Sequence, residues 1–156
     1  MAIHWNIIVA IYAKLIWRVV IFATVLFWLF VAGLGVYRAL NAQGRVTISY
    51  DLGGTVSQYR EAVRNVDYAE ILGVCGSACT MYLGARRVCI SPDAMLLFHE
   101  AHNDDGSRND LATLWLWDEY PRGVRAWLTA HGGLTHRLIP LSGSEAIRLG
   151  VPRCSI

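Results

Sequence analysis

Between Arg18 and Arg38 the chain runs for 19 residues without a charge, VVIFATVLFWLFVAGLGVY. At ~1.5 Å per residue such a run spans roughly 28 Å as a helix, close to the ~30 Å hydrocarbon core of a bilayer. Trp17 and Tyr37 stand at its two ends, where amphipathic rings favour the membrane interface. The pattern predicts a transmembrane helix over about 19–37, within an N-terminal anchor of residues 1–41. A cleaved signal peptide, cut after Leu40-Asn41-Ala42, is the alternative. Its apolar core is usually only ~7–15 residues long, so the anchor is the preferred reading. Residues 3–13 are apolar too, but too short to span alone. Lys14 and Arg18 precede the span, together with the α-amine, and Arg38 and Arg45 follow it. That balance leans towards a cytoplasmic N-terminus, which puts the rest of the chain outside the cytoplasm.

From residue 42 to residue 156 the pattern changes to alternating strand and helix signals. Val46–Tyr50 is a β-branched run closed by Gly53-Gly54. Thr55 to Asn65 reads as a helix with Val56, Tyr59 and Val63 on one face. Ile71–Val74 is a buried strand, followed by Cys75-Gly76-Ser77-Ala78-Cys79 and a short helix to about Gly84. Strands at Arg87–Ile90 and Met95–Phe98 flank a Ser91-Pro92-Asp93 turn. A polar loop from His102 to Asn109 leads into a Trp-rich helical stretch, Asp110 to His131, which Pro121 and Gly123 should divide. Ser142 and Glu145 form a capping box for a last short helix ended by Gly150. Strands alternating with helices imply an α/β core around a largely parallel sheet.

Composition adds two exclusions. The chain is 54% hydrophobic and 17% charged, against ~25% charged in ordinary soluble proteins, so a disordered chain is ruled out. Beyond residue 41 it carries 11 arginines against 12 acidic residues, with no basic stripe. Nucleic-acid affinity rests on phosphate neutralisation, so a nucleic-acid partner is not expected.

Reactive residue types gather in three places. Gly53-Gly54, between a strand and a helix, lets backbone N–H groups approach a ligand; equally, it is a plain turn. Ser77 lies between a strand end and a helix start, as a nucleophile on an elbow does, with Ala78 N–H beside it. A serine there also suits a helix cap. His99 follows the apolar strand ending at Phe98 and opens a loop, either as a general base or as a structural histidine.

In this order the three segments resemble the Clp peptidase branch of the crotonase-like superfamily, in particular its small membrane-associated or periplasmic members. SYDLGGTVSQYREAV is similar to the family's Gly-Gly strand and helix. GVCGSACTMYLGARRVCISPDAMLLFHEA resembles its nucleophile elbow, hairpin and Phe-His segment, and LSGSEAIRLGV its Leu-Thr-x-x-Glu-Ala tail. The resemblance covers residues 46–151. It implies Ser77 as nucleophile, His99 as general base, and the N–H groups of Gly54 and Ala78 as oxyanion hole. The family's third member is an aspartate just before the tail motif. That place reads Thr135-His136-Arg137-Leu138-Ile139, so His136 stands nearest the orienting position. The front of the domain is short as well, because the chain passes almost directly from the apolar helix to Val46. The expected fold is thus a truncated crotonase- or Clp-peptidase-like α/β domain over 42–156, behind the membrane helix.

Other chemistries fit less well. A Ser–Lys dyad lacks a base, since Lys14 is the one lysine of the chain. His99-Glu100-Ala101-His102 spaces its histidines by three rather than the four of a zincin helix. Cys75, Cys79, His99 and His102 make a poor zinc set around an elbow, and Gly53-Gly54 lacks the lysine of a P-loop. Neither a metal nor a cofactor is expected. Cys75, Cys79, Cys89 and Cys154 permit one or two disulfides outside the cytoplasm, with three full pairings open. A Cys75 nucleophile, or four buried free thiols, are the remaining options. The expected function is a membrane-anchored serine-peptidase-like hydrolase acting on peptide or protein substrates through Ser77 and His99. Its partners are the membrane and that substrate, with a homo-oligomer as a further option. The rival is a catalytically silent, membrane-tethered interaction module that keeps the fold.

Overall fold

The computed structural model describes residues 17–34 and 44–155. The chain divides into two units, Met1–Asn41 and Ala42–Ile156. In the first, helix α1 (Trp17–Leu34) has a mean hydropathy of 2.1 with none of it buried, and it is long and apolar enough to cross a membrane. Its one hydroxyl, on Thr24, donates to Ile21 O at 2.8 Å. Gly35, Val36 and Tyr37, the end of the expected span, lie outside the described residues.

The second unit is α/β. Its one sheet holds β1 (Arg45–Asp51), β2 (Tyr68–Gly76), β3 (Val88–Ile90), β4 (Met95–Phe98) and β5 (Ile139–Ser142). β2 is central. β1 runs parallel along one edge, while β3 and β4 share the other, β3 beside Ala69–Ile71 and β4 beside Val74–Gly76. β5 closes the far side antiparallel to β4. The β1–β2 register shifts between Ile48 and Tyr50, where Ser49 O occupies the space a side chain at Gly73 would need. That shift brings Asp51 level with Cys75, so the Gly-Gly turn after β1 meets the end of β2.

Helix α2 (Val56–Arg64) joins β1 to β2; Val63 is buried and Val56 and Tyr59 pack against the core. A 3-10 helix (Ser77–Gly84) follows β2 and buries every residue from Ala78 to Leu83. Helices α3 (Asp110–Asp118) and α4 (Arg122–Ala130) are separated at Glu119–Pro121. Gly123, expected to help break this stretch, instead lies inside α4, where Leu149 O approaches too closely for any side chain. Strand β5 is an addition to the expected elements; Pro140 gives this stretch low strand propensity. Of the capping box before α5 (Gly143–Arg148), one half forms. Ser142 Oγ accepts from Glu145 N–H at 3.2 Å, and the Glu145 carboxylate turns to Arg148 instead.

Candidate active site

β2 ends at Gly76 and the chain turns sharply at Ser77, whose φ of 55° makes it the one non-glycine residue in the left-handed region among those described. That conformation costs ~1–2 kcal/mol for a residue with a Cβ, so neighbouring contacts must hold it. They come from the core. Fully buried Thr80 donates its hydroxyl proton to Ser77 O at 2.6 Å. With that proton committed, Tyr120 O–H must be the donor in the 2.7 Å bond to Thr80 Oγ1. Burial pushes the Tyr120 phenol pKa well above its ordinary value. Tyr120 is anchored in turn by an edge-on contact with Phe98, with centroids 5.0 Å apart. A Cys75–Cys79 disulfide brackets the turn. Ser77 Oγ makes no hydrogen bond among the described residues, and the helix has no side-chain cap bond at its start. The serine is therefore not spent as a cap.

The Gly-Gly turn lies against this elbow. Gly53 adopts φ 84°, and a Cβ there would sit 2.7 Å from Ala78 N and 2.9 Å from Ser77 Cβ. Asp51 holds the turn: its Oδ1 accepts Gly53 N–H at 2.8 Å, and Tyr59 O–H reaches both carboxylate oxygens at 2.7 Å. Burial, then the bond to Asp51, pushes the Tyr59 phenol up. Ala78 N–H belongs to the first helical turn, which has no intrahelical acceptor, and Gly54 N–H meets no acceptor among the described residues.

Ser77, Gly54 and His99 line one cleft of about 520 Å³, with Trp115 on its wall. Alternation along β4 explains the direction of His99: Phe98 is buried, so the next side chain projects away from the core. His99 Nδ1 lies 2.6 Å from Glu100 O. A carbonyl only accepts, so Nδ1 carries the proton and Nε2 is left as the basic nitrogen. Among the described residues no hydrogen bond joins Ser77 Oγ to His99, and no carboxylate contacts His99 Nδ1.

The chain matches no protein-family model and no curated protein sequence.

The structure brings together Ser77, His99 and Gly54, with Ala78 at the elbow; His136 sits one ring further out. Its Nδ1 is 3.1 Å from His102 Nε2, and the His102 ring stacks on His99 with centroids 5.7 Å apart. Glu100 joins these rings, a carboxylate that reasoning from the sequence missed. It is 8% exposed, with Oε1 3.3 Å from His102 Nε2 and Oε2 2.7 Å from Arg108 Nη1. Its signal is the His-Glu-x-His run, whose spacing does not suit a helix. Of the loop aspartates, Asp105 is engaged with Ser107, whose bonds hold its carboxyl below the usual range, and exposed Asp110 with Arg108, while Asp104 lines the same cleft as His99.

The cysteines pair as Cys75–Cys79 and Cys89–Cys154. This corrects three alternatives. Among the described residues no thiol is free, and a disulfide sulfur is neither a thiolate ligand nor a thiolate nucleophile, so the four buried free thiols, the Cys75–Cys79 zinc set and the Cys75 nucleophile are all removed.

Proposed function

We propose that this chain is a membrane-anchored serine hydrolase acting on peptide or protein substrates, with a truncated domain similar to the Clp peptidases of the crotonase-like superfamily. The observation that carries the proposal is Ser77: left-handed backbone, an uncommitted hydroxyl, and a cleft shared with His99 and the Gly-Gly turn. In this reading Ser77 Oγ attacks the scissile carbonyl and His99 Nε2 takes its proton. The N–H groups of Gly54 and Ala78 receive the developing oxyanion, at roughly 2.7–4 kcal/mol per donor. His99 then passes the proton to the leaving amine, and a water repeats the sequence on the acyl-enzyme. The Glu100 carbonyl takes over part of the orienting role by fixing the His99 tautomer. It carries no full charge, so it stabilises the imidazolium less than a carboxylate does. A slow enzyme is the expected result.

Helix α1 supplies the single-pass anchor in this proposal. Two disulfides support a domain outside the cytoplasm, where such bonds persist. A reporter fused after Ile156 should then be active only on the extracytoplasmic side; cytoplasmic activity would reverse the orientation.

The missing Ser77–His99 bond and the missing carboxylate on His99, among the described residues, favour a second reading: a silent membrane-tethered interaction module. Ester and peptide turnover by wild type, Ser77→Ala and His99→Ala in detergent separates the two. The hydrolase reading expects His99→Ala to lose ~10²–10⁴-fold and Ser77→Ala to fall to background. Identical background rates from all three would leave the interaction module.

A further inference from the structure

We propose that Glu100, His102 and His136 form a binding site for a divalent transition-metal ion of the zinc type, beside the serine and independent of it. Three electron-pair donors converge here. His136 Nδ1 lies 3.1 Å from His102 Nε2, which lies 3.3 Å from Glu100 Oε1. All three ligand atoms fall within 4.8 Å of one another. Around a tetrahedral ion with bonds of ~2.0–2.1 Å, neighbouring ligand atoms stand about 3.3–3.4 Å apart, so two of the three edges are already at coordination distance. The third closes by rotation of the exposed His136 ring.

Hydrogen bonding alone satisfies this group poorly. If His136 donates to His102 Nε2, the carboxylate Oε1 faces that same nitrogen with no proton between them. If His102 Nε2 carries the proton, the lone pairs of His136 and Glu100 compete for it. One dication meets all three.

The surroundings are those of a supported ligand set. Arg108 holds Glu100 Oε2 and leaves Oε1 free to face the histidines. A β-bridge pairs His102 with Arg108, and Glu100 N–H donates to Thr135 O at 2.9 Å, which ties the His102 loop to the His136 segment. Such outer contacts orient ligands and raise affinity. Two imidazoles and a carboxylate suit zinc and its first-row neighbours, and not magnesium or calcium, which prefer all-oxygen shells. Three protein ligands also leave a fourth position for water or a substrate group.

The test uses the full chain in detergent, stripped with a chelator and titrated with Zn²⁺ against a chromophoric competitor. Co²⁺ provides a visible-absorption readout of coordination geometry. The expected result is one Zn²⁺ per chain, a tetrahedral Co²⁺ spectrum and no competition by Mg²⁺. His136→Ala and His102→Ala should each weaken Zn²⁺ by at least ~10-fold. His131→Ala, at the exposed histidine just after α4, and Ser77→Ala should bind as wild type does, which keeps this result separate from the fate of the hydrolase reading. An unchanged thermal midpoint for His136→Ala shows that the variant is folded. Absence of stoichiometric Zn²⁺, or wild-type affinity in His136→Ala, would overturn the site.

Discussion

Ser77 and His99 line the same cleft, yet they are held by different means. Ser77, itself half-buried, is held by backbone packing against Gly53 and by a hydrogen-bond chain through the buried side chains of Thr80 and Tyr120. His99 is fixed from the side, by Glu100 O and by a ring stack on His102 within a half-exposed polar cluster. The first arrangement persists for as long as the fold does. The second rests on one loop carbonyl and one neighbouring ring. The nucleophile is therefore held by the core, whereas the base is held by the loop that follows β4.

The largest expected effect comes from Gly53→Ala, which attacks the shared backbone of the elbow. A Cβ there meets Ala78 N, Gly76 O and Ser77 Cβ from a left-handed residue. Overpacking and conformational strain together should cost about 2–4 kcal/mol, read as a lower denaturant midpoint. Thr80→Val tests the chain from the core. It leaves Tyr120 O–H and Ser77 O without their buried partner, at about 1–3 kcal/mol, while Thr80→Ser should recover most of the loss. Arg108→Ala tests the rim. Glu100 keeps a histidine but loses its permanent cation, and because the arginine is half-exposed the expected cost is about 1–2 kcal/mol. A rim variant more damaging than the elbow variants would invert the comparison.

Alkaline titration gives the smallest and broadest signal. Tyr59, Tyr82 and Tyr120 have phenols raised above their ordinary value of 10.0, chiefly by burial. A phenol that ionises later when folded contributes stability that is complete below the unfolded pKa and lost as pH rises through the folded one. Stability should therefore hold up to about pH 10 and decline above it, with the elbow side affected because these tyrosines pack there. Tyr120→Phe should flatten the decline in a series of denaturant midpoints.

The two regions also differed in how far the sequence disclosed them. The elbow is a local feature: small residues between an apolar strand and a helix announce a tight turn, and Gly53-Gly54 announces close backbone approach. The alternation ending at Phe98 likewise placed His99 at a strand end. The cluster is non-local. His136 and His102 are 34 residues apart and meet only because β5 returns beside β4, and β5 is short and contains a proline. Glu100 is adjacent to His99, yet period-2 alternation sends the two side chains apart, so it joins His102 and Arg108 instead. The disulfide pairing was equally closed to sequence, since it depends on Cys89 in β3 meeting the end of the chain at Cys154.

The most direct test of the serine reading is covalent. The full chain in detergent is treated with a serine-reactive phosphonate, digested, and searched by mass spectrometry for the modified residue. One adduct is expected, on Ser77, lost in Ser77→Ala and strongly slowed in His99→Ala. Labelling that is equal in wild type and Ser77→Ala, or no adduct on Ser77 while denaturation shows the domain folded, would contradict it.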